Sequence, residues 1–263
     1  MNRRKFIYNS SIASLSVMGL QSCNILDRNV KISILHTNDV HSQIEAFPFN
    51  HNIYPDRGGF AKRANIFKGL IKINPNTLIF DAGDIFQGTP YFNFFQGELE
   101  LNLMKKMGYN AATIGNHEFD AGLDILKRNI INNDFQFISS NYDFTNTSLE
   151  GLVSRYKVYK KQNIRIGVFG LGIELKGLVN PKLYKETKYY DPIEISNEMT
   201  QKLKTEENCD LIICISHLGH TYQDDKISDL RLASLTSDID LIIGGHTHTC
   251  LLYTSPSPRD CRL

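Results

Sequence analysis

Apolar residues along this chain fall into two rhythms. Short, near-continuous runs of Val, Ile, Leu and Phe at Lys31–Thr37, Thr77–Ala82, Gln136–Ser139, Ile164–Gly170, Asp210–Ser216 and Ile239–Gly244 read as strands buried on both faces. Between them, apolar positions recur at helical spacing. Ala61, Ala64, Phe67 and Ile71 mark a helix that follows Arg57-Gly58-Gly59-Phe60 and runs to about Ile73. Further helical patterns cover Glu98–Met107, ended by Gly108, then Leu123–Ile131, Ile193–Glu206 and Asp225–Ser234. Strands alternating with helices predict an α/β sandwich whose sheets are covered on their outer faces. Residues 31–250 contain no linker, repeat or low-complexity block, so they are expected to form one domain.

The polar residues that follow the strands share one chemistry. Ile32–Leu35 leads to Asp39 and His41, and Leu78–Phe80 leads to Asp84. Ala111–Ile114 leads into Gly115-Asn116-His117-Glu118-Phe119-Asp120. Leu211–Ile215 leads to His217, and Leu241–Ile243 to His246 and His248. Ligands of open α/β sheets bind beyond the carboxyl ends of the strands, so five such ends are expected to build one site. Carboxylate, amide and imidazole without thiolate suit Mn²⁺, Zn²⁺ or Fe²⁺. One ion needs three or four of these groups, whereas seven favour two. If Asp84 bridges, each ion has four ligands, and two ions roughly 3.5–4 Å apart can hold a shared hydroxide against a phosphoryl group. Asn116 and His117 are neighbours and cannot both point the same way from a strand end. With Asn116 on the metal, His117 leans over the substrate, and Asp120, at the start of the next helix, can turn back to fix its tautomer and charge. Asp81 and Asp120 also suit turn or helix caps. His36, His51 and His220 are read as ordinary core or surface histidines.

Composition narrows the picture little. With 263 residues, a formal net charge of +1 and 41% hydrophobic residues, nothing points to nucleic acid as a partner. Outside the N-terminus no apolar run is long enough to span a bilayer. The five cysteines have no paired spacing, and Cys209 and Cys214 flank a buried-looking strand, as small hydrophobes do. Residues 1–22 read as an export signal. Arg3-Arg4-Lys5 is a basic, twin-arginine start, and Ile12–Leu20 is a short apolar stretch. Leu20-Gln21-Ser22-Cys23 resembles a lipoprotein cleavage box. The expected destination is the periplasm or a membrane-anchored lipoprotein. Residues 251–263, with their Ser-Pro repeat, read as an irregular tail, either genuine or a truncated or non-native end.

The ordered motifs Asp39-x-His41, Gly83-Asp84, Gly115-Asn116-His117-Glu118, Ser216-His217 and Gly245-His246-Thr247-His248 resemble the calcineurin-like metallophosphoesterases. Leu35–Asp39, Asp81–Pro90 and Gly115–Asp120 are more closely similar to the bacterial 5'-nucleotidase/UDP-sugar hydrolase branch, as are Arg57–Arg63 and Asp191-Pro192-Ile193. The resemblance covers about residues 31–249. It implies a four-layer αββα sandwich and two divalent ions, Zn²⁺ or Mn²⁺. Asp39, His41, Asp84 and His248 would hold one ion, and Asp84, Asn116, His217 and His246 the other. It also implies that His117, supported by Asp120, faces the phosphate or leaving group, with Asn116 and His117 meeting the substrate. Ser42 departs from the branch, which often has Gly there. The branch also continues into a C-terminal base-binding domain, whereas this sequence stops just after His248. The expected function is two-metal hydrolysis of a small phosphate ester, with a nucleotide as substrate and the base-binding domain missing or separate. Two other readings are a thiosulfohydrolase-like dimanganese enzyme and a lipoprotein that binds metal or nucleotide without turnover.

Overall fold

The computed structural model describes residues 30–251. The export signal at residues 1–22, the box at Cys23 and the tail from residue 252 onward lie outside the described residues. The first sheet is parallel, with β1 (Ser33–Thr37), β2 (Thr77–Asp81) and β3 (Ala111–Ala112) in that order. Its connections are α1 (Phe60–Ile73) and the pair α2 (Pro90–Phe95) and α3 (Glu98–Met107), with α4 (Leu123–Asn133) after β3. A two-residue ladder joins β4 (Tyr142–Asp143) to β7 (Lys188–Tyr189), with α5 (Pro181–Tyr184) just before β7. The second sheet has the order β5 (Tyr156–Lys161), β6 (Ile164–Leu171), β8 (Leu211–Ser216), β9 (Leu241–Gly244). Its β5–β6 pair is antiparallel and the rest parallel, with crossovers through α6 (Pro192–Thr205) and α7 (Asp229–Leu235).

Three hydrophobic clusters fill the spaces between four layers, because alternate residues of a buried strand serve opposite faces. Leu78 and Phe80 of β2 meet Ile166 and Val168 of β6 and Ile213 and Ile215 of β8 between the two sheets. Ile79, on the other face of β2, joins Phe67 of α1, Met104 of α3 and Leu126 of α4. Across the second sheet, Phe169, Ile212 and Cys214 pack on Met199 and Leu203 of α6 and Leu232 of α7. The result is the expected αββα sandwich, and Cys214 is the small core residue its setting suggested. Burying each of these large side chains is worth about 1.5–3 kcal/mol relative to exposure.

The helices begin and end on local signals. Pro192 opens α6 behind Asp191, whose carboxylate accepts from the N–H groups of Ile193 and Glu194. In α3, Glu98 and Glu100 occupy the first turn and Lys105 and Lys106 the last, and Gly108 closes it in the left-handed region. The helix expected from Asp225 starts at Asp229, because Ser228 is the residue that caps it. Gln136–Ser139 is not a strand. Phe137 bridges to Ala112 and Ile138 to Ser154, so the segment touches two partners for one residue each. The sequence reading missed β5, a half-exposed edge strand rich in lysine, and α2, whose six residues Pro-Tyr-Phe-Asn-Phe-Phe have no polar face.

Candidate metal centre

The loops after β1 and β2 are laced together beyond the last ladder pair. The N–H groups of Asp39, His41 and Ser42 donate to the carbonyls of Gly83, Asp84 and Ile85 at 3.0, 3.1 and 2.9 Å. Asp39, His41, Ser42, Asp84, His246 and His248 all have left-handed backbone, with φ between 45° and 76°. Each such residue costs roughly 1–2 kcal/mol, and strain of this kind concentrates at functional sites. Two glycines are obligatory here. A Cβ on Gly83 would lie 2.8 Å from the Gly115 nitrogen, and one on Gly115 would lie 2.3 Å from Asp84 Oδ1.

Glu118 ties these loops to the third. Its Oε1 accepts from the N–H groups of Ile85 and Phe86 at 2.7 and 3.3 Å, and its Oε2 from Asp84 and Gly115 at 2.9 and 2.6 Å. The residue is completely buried. Four converging N–H groups form an anion cradle. Within the motif Gly115–Asp120 the residue type of Glu118 does not by itself assign it this role. The available signal was its place three residues after Gly115, the spacing by which a capping-box glutamate reaches back to a free N–H. Asp81, read as a possible turn cap, caps this turn: its Oδ1 accepts from the Gly83 N–H at 2.9 Å. Its Oδ2 accepts from Thr37 Oγ1 at 2.5 Å; Thr37 Oγ1 lies 2.7 Å from the Tyr109 hydroxyl, which accepts from Arg63 at 3.2 Å. Asp229 was also missed. Its carboxylate accepts from Ser216 Oγ at 2.5 Å and so shapes the end of β8 that carries His217.

Six of the seven expected ligand residues, all but Asn116, come together in two groups of ligand atoms. Asp39, His41 and His248 bring ligand atoms together in one group, and Asp84, His217 and His246 in another. His41 Nε2 lies 3.1 Å from His248 Nε2, which is 3.4 Å from Asp39 Oδ1. Asp84 Oδ2 lies 3.0 Å from His217 Nε2 and 4.0 Å from His41 Nε2, so one carboxylate oxygen faces both groups. Metal–nitrogen bonds of about 2.0–2.1 Å at octahedral or tetrahedral angles set neighbouring ligand atoms roughly 3.0–3.4 Å apart, which is the spacing of the closest pairs. Two buried atoms, Asn116 Oδ1 and His246 Nδ1, have no hydrogen-bond partner among the described residues. Orphaned buried acceptors are rare unless something outside the protein satisfies them. The donor set therefore fits divalent ions.

The electrostatics agree. Burial opposes ionisation of Asp84, but the charge of His217 outweighs it and holds the carboxyl well below the usual range. Burial likewise opposes the charged form of His217, yet Asp84 drives its pKa up to about 9. Burial and the charge of His217 bring His246 down to about 4, and burial lowers His41. The protonated His217 occupies the electrostatic role a cation would take, and metal would displace that proton. His217 Nδ1 meets the carbonyl of Ala82 at 2.6 Å, which presents Nε2 to the cavity.

His117 and Asp120 stand beside this centre. His117 Nδ1 lies 2.7 Å from Asp120 Oδ2, and that contact raises the imidazole pKa against the effect of burial. Both side chains are partly exposed, and the His117 ring makes an edge contact with His41 at 5.2 Å. The His117 N–H donates to Asp84 Oδ1 at 2.9 Å. Asp120, expected at the start of the next helix, does not lie there. It closes the 3₁₀ turn His117–Phe119, and α4 begins only at Leu123 after Gly122. His117 also lies within ligand reach of His41 and Asp84.

Residues 32–250 match the family model for the calcineurin-like phosphoesterases. The chain is 32% identical over 242 residues to a 5'-nucleotidase of Vibrio vulnificus, covering 88% of this chain and 42% of that protein. It is 32% identical over 236 residues to a snake venom 5'-nucleotidase of Naja atra, covering 87% and 43%. Among solved structures, a 5'-nucleotidase precursor from Thermus thermophilus superposes with a TM-score of 0.75 at 32% identity, over 83% of this chain and 42% of that one. A calcineurin-like phosphoesterase from Bacillus subtilis gives 0.71 at 27%, over 88% and 75%. The chain thus spans less than half the length of both curated relatives. With the motifs in order, the fold matched and the ligand residues gathered, the chain belongs to the calcineurin-like phosphoesterase family.

Proposed function

We propose that this protein is a two-metal phosphatase of the 5'-nucleotidase type, releasing inorganic phosphate from nucleotides or other small phosphate esters. The observation that carries the reading is the convergence of four strand ends on two groups of ligand atoms, with one Asp84 oxygen 3.0 Å from His217 Nε2 in one group and 4.0 Å from His41 Nε2 in the other. In it, Asp39, His41, Asp84 and His248 hold one ion, and Asp84, Asn116, His217 and His246 the other. Zn²⁺ or Mn²⁺ suits these donors and would supply Lewis-acid activation of water and neutralisation of phosphoryl charge. Asn116 and His117 orient the phosphate. His117, kept protonated by Asp120, stabilises phosphoryl charge or gives its proton to the leaving alkoxide. This charged pair at the cavity favours turnover over mere binding.

The named 5'-nucleotidases among the relatives support a nucleotide substrate, and base selectivity is assigned to a further, C-terminal domain outside this sequence. Arg3-Arg4 and Cys23 support export and lipid anchoring, which fractionation and mass analysis of the mature N-terminus would check. The central experiment measures phosphate release from AMP and p-nitrophenyl phosphate by the metal-stripped protein, with and without added Mn²⁺ or Zn²⁺. Release that appears with metal and vanishes in Asp84→Asn supports the reading; metal-independent release, or none with any ester, refutes it.

A further inference from the structure

The carboxylate of Asp229 lies at the end of the second sheet, outside both ligand groups, in a place where its own helix does not need it. Asp229 is the first residue of α7, and Ser228 already caps that helix through the N–H of Arg231. An acidic residue in a first turn ordinarily stays in solvent and favours the helix dipole. Asp229 is buried instead, which costs free energy unless its oxygens are used. Oδ1 accepts from Ser216 Oγ at 2.5 Å, and that same hydroxyl oxygen accepts from the Leu218 N–H at 3.2 Å. Oδ2 stands against Gly244, where a Cβ would overlap it. Ser216 and Gly244 are register partners, the last rung of the β8–β9 ladder. One carboxylate therefore spans the rung from which both chains leave the sheet.

Those two chains carry His217, one residue past the rung, and His246, two residues past it. The loops beyond are held to α7 and to each other. The Asp229 N–H donates to the carbonyl of Gly219 at 2.8 Å, and the His220 N–H donates to Thr247 Oγ1 at 2.9 Å. The rings of His217 and His246 meet edge to face with centroids 5.1 Å apart. A Cβ on Gly245 would come within 3.0 Å of His217 Nδ1. With so little space between the two strand ends, any change in their separation passes directly to the distance between the two imidazoles.

We propose that Asp229 is a positioning residue for the ion held by Asp84, His217 and His246, clamping the end of β8 to the end of β9 so that the two imidazoles keep the separation one ion needs. This rests on the ligand assignment given above. The clamp accounts for glycine at 244, where a side chain would displace the carboxylate, and for an acid buried at the start of a helix that is capped without it. Asp39 and His41, which belong to the other ion, follow β1 in the first sheet and have no contact with the clamp. Losing Asp229 therefore acts on one ion far more than on the other.

The test is calorimetric titration of the full, metal-stripped chain with Mn²⁺, with His246→Ala and His248→Ala marking which site is which. Ser216→Ala removes the hydroxyl that the clamp holds, and Asp229→Ala removes the clamp itself. Each should weaken the site lost in His246→Ala about tenfold, the lower end of what an outer-shell partner contributes. The site lost in His248→Ala should stay within about twofold of wild type. Gly244→Ala should weaken the same site as Asp229→Ala by pushing the carboxylate aside, yet cost nothing further in the Asp229→Ala background, where the added methyl has room. Equal weakening of both sites, which general destabilisation would give, overturns the proposal, as do additive losses in the double variant. If Asp229→Ala does not fold, Ser216→Ala and Gly244→Ala still decide by the site they weaken. If neither His246→Ala nor His248→Ala removes a site, the ligand assignment falls and the clamp with it. If each removes its own site while Ser216→Ala and Asp229→Ala change nothing, only the clamp falls.

Discussion

Replacing Glu118 with Gln tests whether a buried carboxylate really knots the loops after β1, β2 and β3 together. Each carboxylate oxygen accepts two backbone N–H groups, Ile85 and Phe86 on one and Asp84 and Gly115 on the other. Glutamine has nearly the same shape but only one acceptor oxygen. Whichever way its amide turns, two N–H groups lose their acceptor and face an NH₂ instead. An unsatisfied buried donor costs about 1–3 kcal/mol, so two predict a loss of about 2–6 kcal/mol. For a chain of this size each kcal/mol shifts Tm by roughly 2–4 °C, giving a drop of roughly 4–24 °C. Burial pushes the Glu118 pKa up to about 7, helped by the charge of Asp84 and opposed by the N–H donors, so the comparison belongs at pH 8, where the carboxylate form prevails. Denaturant unfolding of the metal-free protein measures the difference without interference from ligand binding. A change below about 1 kcal/mol would mean that the side chain is protonated and that the amide substitutes for it, and the anion-cradle argument would be wrong.

The other predictions concern the centre itself. Asp84→Asn removes the shared carboxylate and should weaken both ions, whereas His248→Ala should weaken mainly one; metal analysis that finds two tightly held ions and normal turnover in Asp84→Asn contradicts the assignment. His117→Ala should keep the fold and both metals while losing kcat by about 10²–10⁴. If His117 is the acid, the loss should be smaller for p-nitrophenyl phosphate, whose leaving group needs no proton; metal loss in proportion to activity would make His117 a ligand. Asp120→Asn removes the contact that raises His117, so the imidazole should lose its proton at lower pH. The alkaline limb of the kcat–pH profile should then move to lower pH, and an unmoved limb rules out His117 as the group titrating there. Tyr109→Phe cuts the buried chain from Arg63 to Asp81 and should cost about 1–3 kcal/mol of stability, read by denaturant unfolding.

The sequence by itself determined the sandwich and the residues at its site. Near-continuous apolar runs such as Thr77–Ala82 read as strands covered on both faces, although Gln136–Ser139 makes only single bridges, and helical spacing over Phe60–Ile73 and Glu98–Met107 is strong enough to place those helices within a residue or two. The ligands were legible because each follows a strand end, a one-dimensional signal for a place in three dimensions. Only the tertiary structure decided how they are aimed. Nothing in Asp39-x-His41 announces two left-handed residues, since those conformations are imposed by carbonyls of a loop more than forty residues away. Glu118 is legible only in its short reach back to Gly115, while its bonds to Asp84, Ile85 and Phe86 are set by the fold. A carboxyl that serves backbone groups of a distant loop has no periodicity of its own, and its partners are identified only once the chain has folded. β5 escaped because lysines at 157, 160 and 161 interrupt its apolar pattern, while Tyr156 and Val158 pack on one core cluster and Tyr159 on the other. Periodicity reports how a segment meets the core, and these residues are defined by what they meet across it.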